Sequence, residues 1–346
     1  MFRSGKAGRT SGNPAFHPAV LLVCSISLGC TQAAVPGPPS GSPALLPEPD
    51  AEGKEWVENT LSSLTLRKAI GQLIVPWMSG AYTSETGPEF REFARYVEEG
   101  GIGGVVISIG LPHTYGAKLN SLQALAEVPL LVSSDFENGG PGMRINHSYA
   151  LPTLLPQGGG TSFPPTMAFG AIGEDRFAWE YGRVTALEAR AVGVHLNFAP
   201  VLDVNSNPLN PIINTRSFGE DPGDVARLGA AYLAGAAEGG LLTTAKHFPG
   251  HGDTKTDSHI ALPIVDADRD RLEALELIPF RRAVEEGVDA VMTAHVAVPK
   301  VLGPGGPPAT LSPFFLTELL RGDMGFDGLL LTDAIRMGAI SDGYGV

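Results

Sequence analysis

From residue 54 onward the chain alternates between two patterns of apolar residues. In one, a single face is apolar at helical spacing; in the other, a short run is apolar throughout. The helical pattern covers Trp56–Gly71, Pro88–Glu99, Ala117–Glu127, Asp175–Val192, Asp224–Glu238, Leu272–Glu286 and Ser312–Arg321. Within the second of these, Phe90, Phe93, Tyr96 and Val97 share a face, as a period of 3.6 residues requires. The continuous runs are Leu73–Met78, Ile102–Ser108, Pro129–Asp135, His195–Asp203, Leu241–Ala245, Asp289–His295 and Gly328–Asp333. Strands apolar on both faces belong to a parallel sheet covered by helices. The pattern therefore predicts an α/β protein with seven parallel strands.

Polar residues recur at the C-terminal ends of these runs: Asp135, Asp203, Lys246 with His247, His295 and Asp333. In a (β/α)8 TIM-like barrel those ends converge on one face, which carries the active site. A doubly wound open sheet would also bind ligands at its strand ends, but no Gly-x-Gly-x-x-Gly follows the first strand. The barrel is the expected fold. By its spacing an eighth strand should come about thirty residues after Asp333. The sequence ends at Val346, so the expectation is a barrel truncated after its seventh strand, or an open one.

Composition narrows the function. With 346 residues, 43% hydrophobic and 18% charged, the chain is long enough for a large core. A net charge of −13 argues against nucleic acid as a partner, since phosphates need a basic face. Both cysteines, Cys24 and Cys30, lie in the first thirty residues, so the body has no disulfide and no cysteine metal site. Residues 1–30 read as a signal peptide: Arg3, Lys6 and Arg9 precede the apolar run Ala19–Leu28. The ending Ser27-Leu28-Gly29-Cys30 resembles a bacterial lipoprotein box, with Ser27 where a large aliphatic residue is usual. That predicts export to the periplasm or cell envelope, with membrane anchoring through a lipidated Cys30 as one form of it. Residues 31–53, with Pro36, Pro38, Pro39, Pro43, Pro47 and Pro49, read as a Pro-rich linker. Residues 54–346 would form the catalytic barrel.

The chemistry is concentrated in Lys246–His259, which supplies two lysines, three histidines and two aspartates within fourteen residues. Pro249, Gly250 and Gly252 make helix unfavourable there. Asp257 and His259 are two apart in a non-helical loop, so both side chains can point the same way. A carboxylate beside an imidazole orients the ring and stabilises the cation formed on protonation. His259 is thus a candidate acid and base with Asp257 as its orienter. Asp333 ends an apolar strand, where an uncompensated carboxylate is costly. It either faces a polar site or caps the next helix.

Lys-His-Phe-Pro-Gly-His-Gly followed by Asp-Ser-His resembles the signature of family 3 glycoside hydrolases, in the β-N-acetylhexosaminidase branch. Supporting stretches are Leu196–Asp203, Arg216–Pro222, Ala294-His295-Val296 and Gly325–Gly328 running into Thr332-Asp333. The resemblance implies a retaining exo-glycosidase with Asp333 as nucleophile and Asp257 with His259 as an acid/base dyad on a mobile loop. It further implies that Asp135, Arg144, Arg216, Lys246 and His247 hold a terminal β-linked N-acetylglucosamine from cell-wall or chitin-type oligosaccharides. No metal or cofactor is implied. Gly250 and Gly252 would give the loop freedom to bring His259 in as acid and out as water arrives. A carboxylate acid/base would be anionic in the glycosyl-enzyme and repel anions, whereas a histidine is merely neutral. Lys246 and Arg216 would add positive potential, and together these predict some tolerance of phosphate as an acceptor beside dominant hydrolysis. One departure is the segment Asp135–Arg144, which is longer than the family's usual Asp-x-Glu-Gly-Gly-Arg and bears most on Arg144.

Two other readings compete. A metal-dependent barrel hydrolase could use His247, His251, His259 and Asp257 as ligands, although Lys246 would repel a dication. An exported sugar-binding lipoprotein without turnover is the alternative from a different class.

Overall fold

The computed structural model describes residues 49–140 and 160–345. The signal, lipidation and most of the linker expected for residues 1–53, and Arg144, lie outside those residues. Seven strands follow one another in a single parallel sheet: β1 (Trp77–Ser79), β2 (Gly104–Ser108), β3 (Leu131–Ser134), β4 (Leu196–Asn197), β5 (Leu242–Phe248), β6 (Ala290–Thr293) and β7 (Leu329–Thr332). Each pairs with its sequence neighbours in the order β1 to β7. That is the succession of a TIM-like barrel wall, each strand returning through a helical crossover. Among the described residues β7 and β1 do not pair with each other, and Leu329 and Trp77 are exposed at those two edges.

The continuous apolar runs reflect two cores. Val105, Ile107, Val132, Ala245 and Val291 pack outward against helices. Their alternate neighbours turn inward, where Leu196, Phe198, Ala290 and Met292 gather with Val106, Leu131, Leu242 and Leu331. Strand residues alternate sides, so both neighbours must be apolar. The helices Asp175–Ala191 and Pro222–Glu238 clamp the wall behind β4 and β5. A Cβ on Gly182 would meet the Tyr232 carbonyl at 2.2 Å, and one on Gly235 the Trp179 carbonyl at 1.9 Å. These glycines set the close approach of the two helices.

Several boundaries differ from expectation: the run Leu73–Met78 is strand only from Trp77, with Leu73 and Ile74 exposed, and the helix expected over Ala117–Glu127 spans Pro112–Gln123. Three further differences have a local reason. The first predicted helix breaks into Ala51–Ser63 and Leu66–Gly71, because Thr65 is extended and its hydroxyl accepts from the Lys68 amide as an N-cap. The run His195–Asp203 keeps only two residues of strand, although Val201 bridges to Lys246. Pro200, which has no N–H to donate, interrupts it. β5 instead extends beyond Ala245 through Lys246 and His247 to Phe248. No described helix is long and apolar enough to cross a membrane.

Candidate active site

At the C-terminal end of the sheet, β5 contributes two adjacent side chains to one buried polar cluster. Lys246 is in register with the inward-facing Met292, so its stem runs up the barrel interior. The register then shifts between Lys246 and Phe248. His247 thereby reaches Asp203, while Phe248 packs outward on Phe280 and Phe315. A regular strand would send His247 to the opposite side from Lys246.

The Lys246 ammonium lies 2.6 Å from Glu137 Oε1 and 3.0 Å from Asp135 Oδ1. Arg216, from the short turn Asn214–Arg216, grips the same Glu137 bidentately, Nε to Oε2 and Nη2 to Oε1 at 2.8 Å each. Glu137 and Lys246 are both buried. Burial alone would raise the Glu137 carboxyl, but Arg216 and Lys246 outweigh it and bring it down to about 2. Burial opposes the cationic form of Lys246 too, and Glu137 and Asp135 more than compensate, holding its pKa above the ordinary value. Two cations and two carboxylates therefore balance. This pairing offsets the positive potential expected from Lys246 and Arg216, while the part of the phosphate expectation that rests on a neutral His259 is untouched by it.

Asp203 organises the neighbouring histidines. Its carboxylate is fully buried and accepts from His247 Nδ1 at 2.7 Å, the His247 amide at 3.2 Å and the His251 amide at 2.6 Å. Burial acts against the anion, but these partners keep its carboxyl below the ordinary range. With its proton on Nδ1, His247 presents Nε2 to Arg216 Nη2 at 3.4 Å. Asp333, half-buried just beyond β7, accepts the Ala334 amide at 2.7 Å. Burial would raise its carboxyl, yet His247, the Ala334 amide, Lys246 and His295 hold it below the ordinary value. His295 donates through Nε2 to the Ala334 carbonyl at 3.2 Å, steadying the turn that carries Asp333.

Asp257 and His259 form the pair expected of them. Asp257 Oδ1 takes both the His259 amide at 2.9 Å and Nδ1 at 2.7 Å. With Nδ1 turned to the carboxylate, Nε2 is the ring atom left to exchange protons on a side chain that is 60% exposed. Burial would raise the Asp257 carboxyl, but the His259 contacts lower it.

Gly250 and Gly252 act differently from the hinge expected of them. A Cβ on Gly252 would fall 1.8 Å from the Val204 carbonyl, and Gly250 (φ +133°) faces the Glu276 side chain at 2.9 Å. Asn207 donates to the Thr254 carbonyl, and Asn210 to the carbonyls of His251 and Gly252. Residues 250–254 are thus clamped. Exposure begins at Lys255.

The structure brings Asp135, Lys246, Arg216 and His247 into one linked cluster, with Asp333 in the electrostatic reach of His247 and Lys246. Glu137 and Asp203 are the cluster's two central anions; the sequence marks Asp203 as a polar residue at a strand end but gives it no role, and it does not mark Glu137. The signal for Glu137 was a second carboxylate two residues after Asp135, straight after an apolar run. The four ligands of the metal-hydrolase reading are separated by their partners. His247 is bound to Asp203, and His251 to Thr254 and Ser258. Among the described residues no group of three or more His, Cys, Asp or Glu could hold a metal ion.

Comparison with known proteins gives the family. The family model described as "Glycosyl hydrolase family 3 N terminal domain" matches residues 65–346. Beta-hexosaminidase A of Pseudoalteromonas piscicida is 40% identical over 233 residues, which are 64% of this chain and 37% of that protein. A beta-hexosaminidase of Stenotrophomonas maltophilia is 39% identical over 227 residues, 65% of this chain and 64% of that protein. The solved structure of a glycoside hydrolase family 3 beta-N-acetylglucosaminidase from Paenibacillus matches with a TM-score of 0.73 and 41% identity, covering 82% of this chain and 52% of that one. The chain therefore spans between about a third and two thirds of the length of these relatives.

Proposed function

The chain belongs to glycosyl hydrolase family 3, and from that premise we propose that it is a retaining exo-glycosidase removing terminal β-linked N-acetylglucosamine. The observation that carries the reading is the pairing of an anionic Asp333 with a separate, exposed Asp257–His259 dyad beside a buried polar cluster. In the first step a carboxylate oxygen of Asp333 bonds to the anomeric carbon as the glycosidic C–O bond breaks. The departing oxygen takes the proton from His259 Nε2. In the second step the now neutral His259 takes a proton from water, whose oxygen attacks the anomeric carbon and releases Asp333.

The remaining cluster suits a sugar ring. Adjacent hydroxyls match the spaced donors and acceptors of Asp135, Lys246, Arg216 and His247, and such contacts strengthen as positive charge develops on the ring. Glu137 is consumed by its two cations, which makes it the holder of the binding residues. The names of the hexosaminidase relatives favour an N-acetylated sugar. Cell-wall or chitin fragments as the natural source belong to this proposal, as does export with lipidation at Cys30, on the pattern of residues 3–30.

Initial rates on matched chromogenic β-N-acetylglucosaminide and β-glucoside test it. The proposal expects the N-acetylated substrate to be turned over faster at equal concentration. Preference for the glucoside would overturn the substrate, and release of neither sugar would overturn the activity.

A further inference from the structure

The segment bearing the dyad is exposed at Lys255, Thr256, His259 and Ile260, yet Ser258, between the two dyad residues, is buried. Its hydroxyl lies 3.2 Å from His251 Nε2. The direction of that bond follows from Thr254. With its hydroxyl hydrogen on the His251 carbonyl at 3.0 Å, Thr254 accepts from His251 Nδ1–H at 2.7 Å. Nε2 is then a bare acceptor, and Ser258 donates to it. His251 itself is buried and held in place through its amide on Asp203.

A second hold comes from the opposite side. The Gly338 amide donates to the His259 carbonyl and the Ala339 amide to the Ser258 carbonyl, each at 3.2 Å. Both amides open the helix Gly338–Tyr344, a few residues after Asp333. A Cβ on residue 338 would stand 2.7 Å from the Ile260 carbonyl and 3.0 Å from that of His259. Only glycine lets the two segments lie this close.

We propose that Ser258 and Gly338 are positioning residues for the acid/base dyad. Ser258 ties the Asp257–His259 peptide inward to His251, and the Gly338 and Ala339 amides tie it sideways to the turn after Asp333. The acid/base group is thereby placed by the segment that carries the nucleophile. This assignment rests on the proposed glycosidase reading for its effect on catalysis, but the coupling itself is a matter of backbone contacts.

The test uses the full chain with Ser258→Ala, Ser258→Thr and Gly338→Ala. Hydrogen exchange is read at the Gly338 and Ala339 amides, far along the chain from Ser258. Loss of one such bond corresponds to roughly threefold to tenfold faster exchange there in Ser258→Ala. With alkyl N-acetylglucosaminides kcat/KM should fall by a similar factor, while kcat/KM for dinitrophenyl glycosides, whose leaving group needs no proton, should change less than about twofold. Ser258→Thr, which keeps the hydroxyl, should restore both. Gly338→Ala should give the same leaving-group pattern. Unchanged exchange at Gly338 and Ala339 in Ser258→Ala would overturn the coupling, and equal losses on both leaving groups would overturn the positioning role. An inactive wild type would sink the glycosidase reading while leaving the exchange measurement decisive for the coupling.

Discussion

Replacing Glu137 by Gln removes the charge at the centre of the buried cluster while nearly preserving shape. A glutamine imitates the protonated carboxyl, so the cost at neutral pH approaches the free energy that keeps Glu137 ionised. Its carboxyl is lowered from 4.5 to about 2. At about 1.4 kcal/mol per pH unit, that corresponds to about 3 kcal/mol. Breaking a buried ion pair from one side costs about 3–5 kcal/mol, the same range. Because Glu137 is 2% exposed, solvent does little to soften the loss. The sign with pH follows from a depressed carboxylate: the stabilisation is complete above its unfolded value near 4.5 and is lost as pH falls toward about 2. Urea unfolding of wild type and Glu137→Gln at a series of pH values measures it. The expected result is a difference of about 3 kcal/mol at pH 7 that narrows steadily below about pH 4.5. A difference under about 0.5 kcal/mol at pH 7, or one that does not change with pH, would refute the claim that Lys246 and Arg216 depend on this anion.

His259→Ala should lower kcat/KM for alkyl glycosides by about 10²–10⁴-fold and kcat/KM for activated aryl glycosides far less, with Asp257→Ala giving a milder version of the same split; steady-state kinetics on both substrates reads it. Asp203→Asn places an amide where three donors converge, so at least one meets another donor, and denaturant titration should show a loss of about 1–3 kcal/mol. Gly252→Ala forces a Cβ onto the Val204 carbonyl and should cost about 1–3 kcal/mol or more in the same assay, a penalty that a freely hinging residue would not show.

The parallel sheet was legible because each strand is apolar on both faces, as Val105 to Ile107 illustrate with one neighbour toward the helices and the next toward the barrel interior. Asp257 and His259 were legible because their partnership is local, two residues apart in a segment that cannot be helical. Asp333 was legible as a carboxylate ending an apolar run. Glu137 was not, since what makes it central is burial between Arg216 and Lys246, which lie far away in sequence and converge only when β3 and β5 enter one wall. Asp203 was legible as a strand-end carboxylate, but its organising role was not, for the same reason: its partners are the His247 ring and the His247 and His251 amides, brought to it by the fold. The glycines misled for a simple reason. Glycine signals either freedom or close approach, and only packing distinguishes the two; Gly252 against Val204 is close approach.

The central claim is that Asp333 is the nucleophile of a retaining glycosidase, and trapping the intermediate tests it most directly. Full-length protein is mixed with an activated aryl β-N-acetylglucosaminide, quenched in acid during the burst, digested and mapped by mass spectrometry. The account predicts one N-acetylhexosaminyl adduct, on Asp333, absent from Asp333→Asn. Adduct on another carboxylate, Asp257 included, or turnover of the substrate by Asp333→Asn at near wild-type rate, would contradict it.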